Sequence, residues 1–169
     1  LVNRTVVMTD RYFDGTVPEA DPDSEMLAVL RDQAQETHGA IEGALPAFDT
    51  PRMVEAILRL VREANRFIET SEPWNLSREP ARNQDLATVI YGLLEVLRHL
   101  GLWLSPIMPG KAQDIWAQIG CEGSVDDLRA VDGVWGALHP GQKVLPAEPL
   151  FPKAEPPGDA SETNSNEDE

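Results

Sequence analysis

The chain has 169 residues, of which 41% are hydrophobic, and its formal net charge at pH 7 is −15. This length suits one domain with a substantial core, and the hydrophobic content is typical of a globular protein. The acidic balance argues against broad, charge-driven binding of nucleic acid, which needs a basic surface. Any RNA contact is therefore expected to be local.

The single cysteine, Cys121, excludes an internal disulfide framework and suits a reducing compartment. No apolar run is expected to span a membrane, and the first residues lack a signal pattern. We therefore expect a cytoplasmic protein without a membrane partner. Because the sequence starts at Leu1 within a helical pattern, we also expect it to be N-terminally truncated.

Hydrophobic periodicity predicts an all-α helical bundle over the first 120 residues. The predicted helices cover 1–13, about 21–45, 50–72, 81–104 and 109–119. The helix over 81–104 is apolar around most of its circumference, which places it in the middle of the bundle. Gly- and Pro-rich residues 133–151 predict an extended strap over the bundle, and residues 154–169 a disordered acidic tail or linker.

The stretch 50–74 carries the clearest helical pattern. Its apolar side chains recur at three- and four-residue steps: Met53, Ile57, Leu60, Val61, Ala64, Phe67 and Ile68. The remaining faces carry four arginines: Arg52, Arg59, Arg62 and Arg66. Thr50 is the predicted N-cap, with Pro51 in the first turn.

Pro73 cannot continue that helix, so Trp74 is presented at its end. An indole in this position either anchors the core or stacks on a ligand, and without further information anchoring is the more frequent outcome. We find no phosphate-binding loop, no histidine pair with metal-ligand spacing and no base beside Cys121. The chain alone gives no argument for catalysis, and no cofactor or metal is expected in it.

Six segments, in this order, resemble the anticodon-binding domain of methionyl-tRNA synthetase. They are residues 1–4 (LVNR), 11–18 (RYFDGTVP), 64–74 (ANRFIETSEPW), 91–98 (YGLLEVLR), 104–120 (LSPIMPGKAQDIWAQIG) and 149–152 (PLFP). The resemblance spans about residues 1–153. It implies an α-helical bundle of the class I aminoacyl-tRNA synthetase type, in agreement with the periodicity.

In that family an Asn and an Arg one helical turn apart, together with a Trp that follows Pro, recognise the anticodon. Arg4 matches the Arg, and Trp74 with Pro73 matches the Trp, whereas the matching Asn would precede Leu1. The resemblance thus implies an anticodon site at these residues, with Asn65 and Arg66 in support. We expect the guanidinium and the indole to leave a slot of nucleobase width.

The resemblance further implies recognition of the CAU anticodon of methionine-specific tRNA, with no DNA partner. The complete protein would be a methionine–tRNA ligase that uses ATP. The family's HIGH and KMSKS signatures are missing here, so a catalytic domain would lie upstream and would be the second partner. ATP, with zinc as an option, would bind there, and this chain alone would be inactive.

Two alternatives stay open. The bundle could belong to another class I synthetase, such as the isoleucine, leucine, valine or cysteine enzyme. It could also be a protein-interaction module without an RNA role, docking partners through Trp74.

Overall fold

The computed structural model describes residues 1–146 and Leu150. Within them the regular secondary structure is helical, and the other assigned feature is one antiparallel bridge between Thr16 and Lys143. Six α-helices follow in order: α1 (Val2–Phe13), α2 (Ala28–Ala44), α3 (Thr50–Ser71), α4 (Pro73–Leu76), α5 (Asn83–Leu104) and α6 (Pro109–Gln118). Short 3₁₀ turns lie at Glu25–Leu27, Leu45–Ala47, Pro80–Arg82, Val125–Asp127 and Ala130–Gly133. The predicted all-α bundle is confirmed.

Helix α5 is the centre of the bundle, as its sequence predicted. It packs against each of the other five α-helices, and every residue from Leu86 to Trp103 is buried. By length and composition alone, residues Pro80–Leu104 could cross a membrane, contrary to our expectation from the sequence. The apolar window is 100% buried inside the protein, which is the ordinary situation of a central bundle helix.

Helix α3 begins at Thr50, so its cap lies one residue earlier than predicted. The Asp49 carboxylate accepts a hydrogen bond from the Arg52 backbone N–H at 3.2 Å, so Asp49 is the N-cap and Thr50 is already helical. Asp and Thr are both good N-cap residues, and adjacent candidates cannot be separated by pattern alone. The predicted apolar stripe is buried as expected, apart from the half-buried Val61.

The second helix, predicted to begin at about residue 21, begins only at Ala28, after a 3₁₀ turn that Ser24 caps. The Ser24 hydroxyl accepts from the Met26 N–H, and a 3₁₀ turn then leads into α2. The Asp21 carboxylate instead accepts from the Asp23 N–H in the preceding turn. After α3, the short helix α4 extends to Leu76.

The predicted strap lies on the bundle and is fastened to a buried charge pair of α5. The Glu95 and Arg98 side chains are 0% and 4% exposed, with 2.7 Å between the Arg98 Nη2 and Glu95 Oε1 atoms. The carboxylate of Glu95 also accepts from the backbone N–H groups of residues 136, 137 and 138, at 2.8, 3.2 and 3.1 Å. Arg98 donates to the carbonyl oxygens of Asp132 and Val134.

The strap then returns to the end of α1. Backbone N–H groups of Val17 and Val144 donate to the carbonyls of Gln142 and Gly15, both at 2.8–2.9 Å. The predicted boundary at residue 153 and the predicted tail, 154–169, lie outside the described residues.

Candidate nucleic-acid interface

Helix α1 presents Arg4 on its exposed side because small polar and apolar residues occupy the opposite one. Its buried residues are Thr5, Val6, Met8 and Thr9. Val2 and Phe13 are half-buried. The Thr9 hydroxyl donates to the Thr5 carbonyl at 2.9 Å, whereas the buried Thr5 hydroxyl has no hydrogen-bond partner among the described residues.

Trp74 is held at the end of α3 by a sharp change of chain direction. Glu72 adopts a left-handed backbone conformation, with φ of 46°, and its N–H donates to the Ile68 carbonyl. Pro73 is buried and opens the short helix α4, which carries Trp74 as its second residue. The indole is half-buried and packs against the edge of the hydrophobic core. One part of the ring is therefore anchored and another part stays accessible.

Arg4 and Trp74 meet across the gap between α1 and α4, although 70 residues separate them in sequence. The guanidinium carbon of Arg4 lies over the indole, 5.7 Å from the ring centroid. The expected neighbours are thus brought together. The slot of nucleobase width is not there, because the guanidinium itself rests against the ring.

A third residue, Glu69 of α3, holds the Arg4 guanidinium in this position. The Arg4 Nη1 and Glu69 Oε1 atoms are 2.6 Å apart, and the two side chains are 41% and 61% exposed. An exposed ion pair is worth roughly 0.2–1 kcal/mol, and an exposed cation–π contact about 0.5–1 kcal/mol. We call this geometry, in which Arg4 contacts both Glu69 and Trp74, the closed arrangement. Its contacts are weak enough for a ligand to displace Arg4.

The two supporting residues are less closely connected to the Pro–Trp turn than expected. The Asn65 amide donates to the Val61 carbonyl of its own helix at 2.9 Å. Within the described residues no hydrogen bond joins Asn65 or Arg66 to Pro73 or Trp74. Arg66 is exposed on α3, about two helical turns before Pro73 and Trp74. A role for either residue at the site stays a prediction.

Sequence reasoning missed Glu69, because its contact with Arg4 spans 65 positions and no local pattern marks it. It also missed a polar cleft of about 360 Å³ beside α4, lined in part by Ser71, Glu72, Asn75 and Arg82. These lining residues come from separate elements, so only the folded chain brings them together.

The titratable groups of the interior serve packing rather than chemistry. Burial, followed by the Arg98 charge, lowers the pKa of His99, which lies between the carbonyl oxygens of Glu95 and Gly133. Burial raises the pKa of the Cys121 thiol. Burial also raises the pKa of Tyr91 to about 12. Among the described residues no cluster of three or more His, Cys, Asp or Glu side chains could hold a metal ion.

An all-α bundle that brings an arginine and a tryptophan together at the ends of two helices has the architecture of the class I synthetase anticodon-binding domains. The chain is similar to methionyl-tRNA synthetases over about nine-tenths of its length, and the resemblance drawn from its sequence is confirmed. No protein-family model matches it.

Curated relatives carry the same name in several organisms. The chain is 32% identical over 154 residues to the methionine–tRNA ligase of Caldanaerobacter subterraneus subsp. tengcongensis, which covers 90% of this chain and 24% of that enzyme. It is 33% identical over 153 residues to the Methanopyrus kandleri enzyme, covering 90% of this chain and 22% of that enzyme. The chain thus spans about a quarter of the length of these relatives.

Solved structures agree with the sequence relatives. The apo form of Mycobacterium tuberculosis methionyl-tRNA synthetase superposes with a TM-score of 0.82 at 26% identity, over 92% of this chain and 31% of that chain. The same enzyme bound by methionyl-adenylate gives a TM-score of 0.80 at 27% identity, over 89% of this chain and 30% of that chain.

Proposed function

We propose that this chain is the anticodon-binding part of a methionyl-tRNA synthetase and that it recognises the CAU anticodon of methionine-specific tRNA. One observation carries the proposal: the Arg4 guanidinium and the half-buried Trp74 indole, both matching recognition positions of that family, lie 5.7 Å apart at one end of the bundle. The complete protein would ligate methionine to its tRNA in the cytoplasm, with no membrane or DNA partner. ATP, and zinc as an option, would bind in its catalytic domain, and this chain alone would be inactive.

The anchored indole can act as a stacking platform for one unpaired base. Bases of a single-stranded loop expose their faces and Watson–Crick edges once they unstack. Stacking of a base on an aromatic side chain is worth about 1–3 kcal/mol. Because Pro73 and the core hold the ring from behind, little of that free energy is spent on ordering Trp74.

Arg4 can read the edge of the same base once it leaves the ring. A guanidinium presents a fixed fork of donors, and a bidentate contact to a base edge discriminates by roughly 1–3 kcal/mol. The free energy needed to break the contacts of Arg4 with Glu69 and Trp74 is smaller than the free energy gained from base stacking and base-edge contacts together. Reading of this kind needs no strongly basic surface, so the acidic net charge is compatible with it.

The test is binding of the 169-residue chain to a stem-loop RNA with a CAU loop and to one with altered loop bases. We expect tighter binding of the CAU loop. Trp74→Ala is expected to weaken it by about 1–3 kcal/mol through loss of the stacking platform, while Trp74→Phe, which keeps a flat ring, restores part of the affinity.

Thermal denaturation of the same variants separates the two roles of Trp74. Because the ring is also a core anchor, some loss of stability is expected for Trp74→Ala, but a folded variant with unchanged affinity would assign Trp74 to packing alone. Equal affinity of the unsubstituted chain for both loops would refute the proposed function.

A further inference from the structure

The exposed side of α3 carries a row of arginines that leads toward the Arg4–Trp74 pair. With 3.6 residues per turn, the four side chains fall within about 80° around the helix axis and extend over about 21 Å along it. We call this row, Arg52, Arg59, Arg62 and Arg66, the arginine row; all four residues are exposed. It lies on the side of α3 that faces away from the buried stripe.

Most of the arginine row is available to bind an anion. Arg59 is paired with Glu55 of the same helix at 3.4 Å. The side chains of Arg52, Arg62 and Arg66 have no hydrogen-bond or ion-pair partner within the described part of the chain. The acidic residues nearby are engaged or partly covered, since Glu69 binds Arg4 and Glu63 is half-buried.

This local excess of positive charge stands out against the rest of the protein. Helix α3 contains four arginines and three glutamates, whereas the whole chain carries a net charge of −15. A ligand that is attracted to the row but repelled elsewhere must be anionic and narrow enough to follow one helix. One strand of B-form DNA presents a phosphate every ~3.4 Å along the duplex axis, so a row of about 21 Å is several phosphate spacings long.

We propose that the arginine row binds the phosphate backbone of the helical stem adjoining the loop that Arg4 and Trp74 read. This inference rests on the proposed function, because it assigns the stem of the same RNA to a neighbouring surface. The row supplies affinity without sequence preference, and the Arg4–Trp74 pair supplies the preference. Arg66, two turns before Trp74, lies where stem and loop would meet.

The experiment measures binding of the 169-residue chain to a CAU stem-loop RNA and to the same loop as an unpaired strand, between about 50 and 200 mM salt. We expect Arg62→Gln and Arg66→Gln each to weaken stem-loop binding about threefold to tenfold at the lowest salt and to reduce the salt slope by about 1. For Arg62→Gln, which lies outside the predicted loop site, binding of the unpaired strand and the preference for CAU over altered loops should stay unchanged.

Lys111→Gln is the matched control, because it removes one positive charge from α6, which packs on α5. If the arginine variants show the same salt slope as the control, the arginine row does not contact the stem. This conclusion holds even if the preference for the CAU loop persists. Competition by poly-glutamate as effective as by duplex RNA would show a general anion surface and overturn the RNA assignment. If the arginine variants reduce the salt slope but the chain does not prefer the CAU loop, the proposed function is refuted and the stem contact stands. If the chain binds neither RNA, the proposed function and the stem contact are both refuted.

Discussion

The candidate site is built from three side chains whose individual contacts are weak. Arg4, Glu69 and Trp74 come from three helices and meet at the protein surface. The approach of Arg4 to Trp74 agrees with what the family resemblance implied, but the intervening carboxylate of Glu69 could not be read from the sequence. The Glu69 carboxylate competes with any ligand for the Arg4 guanidinium. Substitution of Glu69 therefore tests whether the contact between Arg4 and Glu69 opposes ligand binding.

We expect Glu69→Gln to increase affinity for the CAU stem-loop by a few-fold, because an exposed ion pair of roughly 0.2–1 kcal/mol no longer opposes opening. The measurement is RNA titration at constant salt. Glu122→Gln, which changes an exposed carboxylate beyond α6, is the control for simple loss of a negative charge. Weaker binding of Glu69→Gln than of the control would show that Glu69 supports the ligand instead.

His99 makes the interior sensitive to acid. Both of its ring nitrogens lie 2.9–3.0 Å from backbone carbonyl oxygens, and a neutral imidazole can donate to only one of them. Burial nevertheless lowers the pKa of His99, and the neighbouring Arg98 charge adds to this effect. Unfolded His99 has an ordinary pKa of about 6.5, so the unfolded chain binds more protons just below that pH.

By linkage, the stability that comes from neutral His99 is present above about pH 6.5 and is lost as the pH falls below it. We therefore expect the free energy of unfolding to decrease between pH 7 and pH 5, and to decrease less in His99→Gln. Urea denaturation at each pH measures this. Equal slopes for His99→Gln and the unsubstituted chain would contradict the argument.

At the scale of elements, the helices were predictable where a long apolar stripe repeats, and their ends were not. The interior position of α5 followed from its leucine and valine pattern, and α3 from its stripe. Ser24 and Asp49 were missed as caps because Asp21 and Thr50 are equally good by residue type. Helix α4 has four residues, too few for periodicity to reveal it.

One buried carboxylate makes several of the contacts between the strap and α5, beside those of Arg98 and of the Tyr91 hydroxyl, which donates to the Leu138 carbonyl. Glu95 is bound by Arg98 and by three consecutive backbone N–H groups of the strap. The three N–H groups lie about 40 positions further along the chain than Glu95. The presence of an acidic residue within an apolar helix was therefore the only sign of this contact in the sequence.

We expect Glu95→Gln to lower the free energy of unfolding by about 3–5 kcal/mol, because it leaves the buried Arg98 charge without its counter-ion. Urea denaturation gives the change in free energy, and faster hydrogen exchange of the Gly136, Ala137 and Leu138 amides would locate it in the strap. Glu55→Gln on the surface should change stability by less than about 1 kcal/mol. A similar small effect of Glu95→Gln would mean that the strap is held by other contacts.

At the scale of the whole molecule, the strap closes against the bundle through a close backbone approach at Gly120. A Cβ atom placed on Gly120 would lie 1.8 Å from the Lys143 carbonyl oxygen, and the residue has a φ of +77°. Gly123 has a similar φ of +83° but nothing within 4 Å of such an atom. Alanine substitutions at the two glycines therefore distinguish the free-energy cost of the left-handed backbone conformation, present at both, from that of a clash with the Lys143 carbonyl, present only at Gly120.

We expect Gly123→Ala to destabilise the protein by roughly 1 kcal/mol, the lower end for a left-handed non-glycine residue, and Gly120→Ala by about 1–3 kcal/mol more, because the strap must move. Thermal denaturation of both variants measures the difference. Equal losses would show that the strap yields at Lys143 without cost.

The late position of α5 in the chain has a consequence for synthesis. During translation α1, α2 and α3 leave the ribosome first, yet the helix against which all three pack is not complete until residue 104 has emerged. Until then α1, α2 and α3 lack the helix that completes their shared core, so the apolar stripes of these helices stay open to chaperones except where α2 pairs with α3. A chain stalled after Leu76 is accordingly expected to be held in an expanded, protease-sensitive state, and the bundle to form in one step once α5 is free.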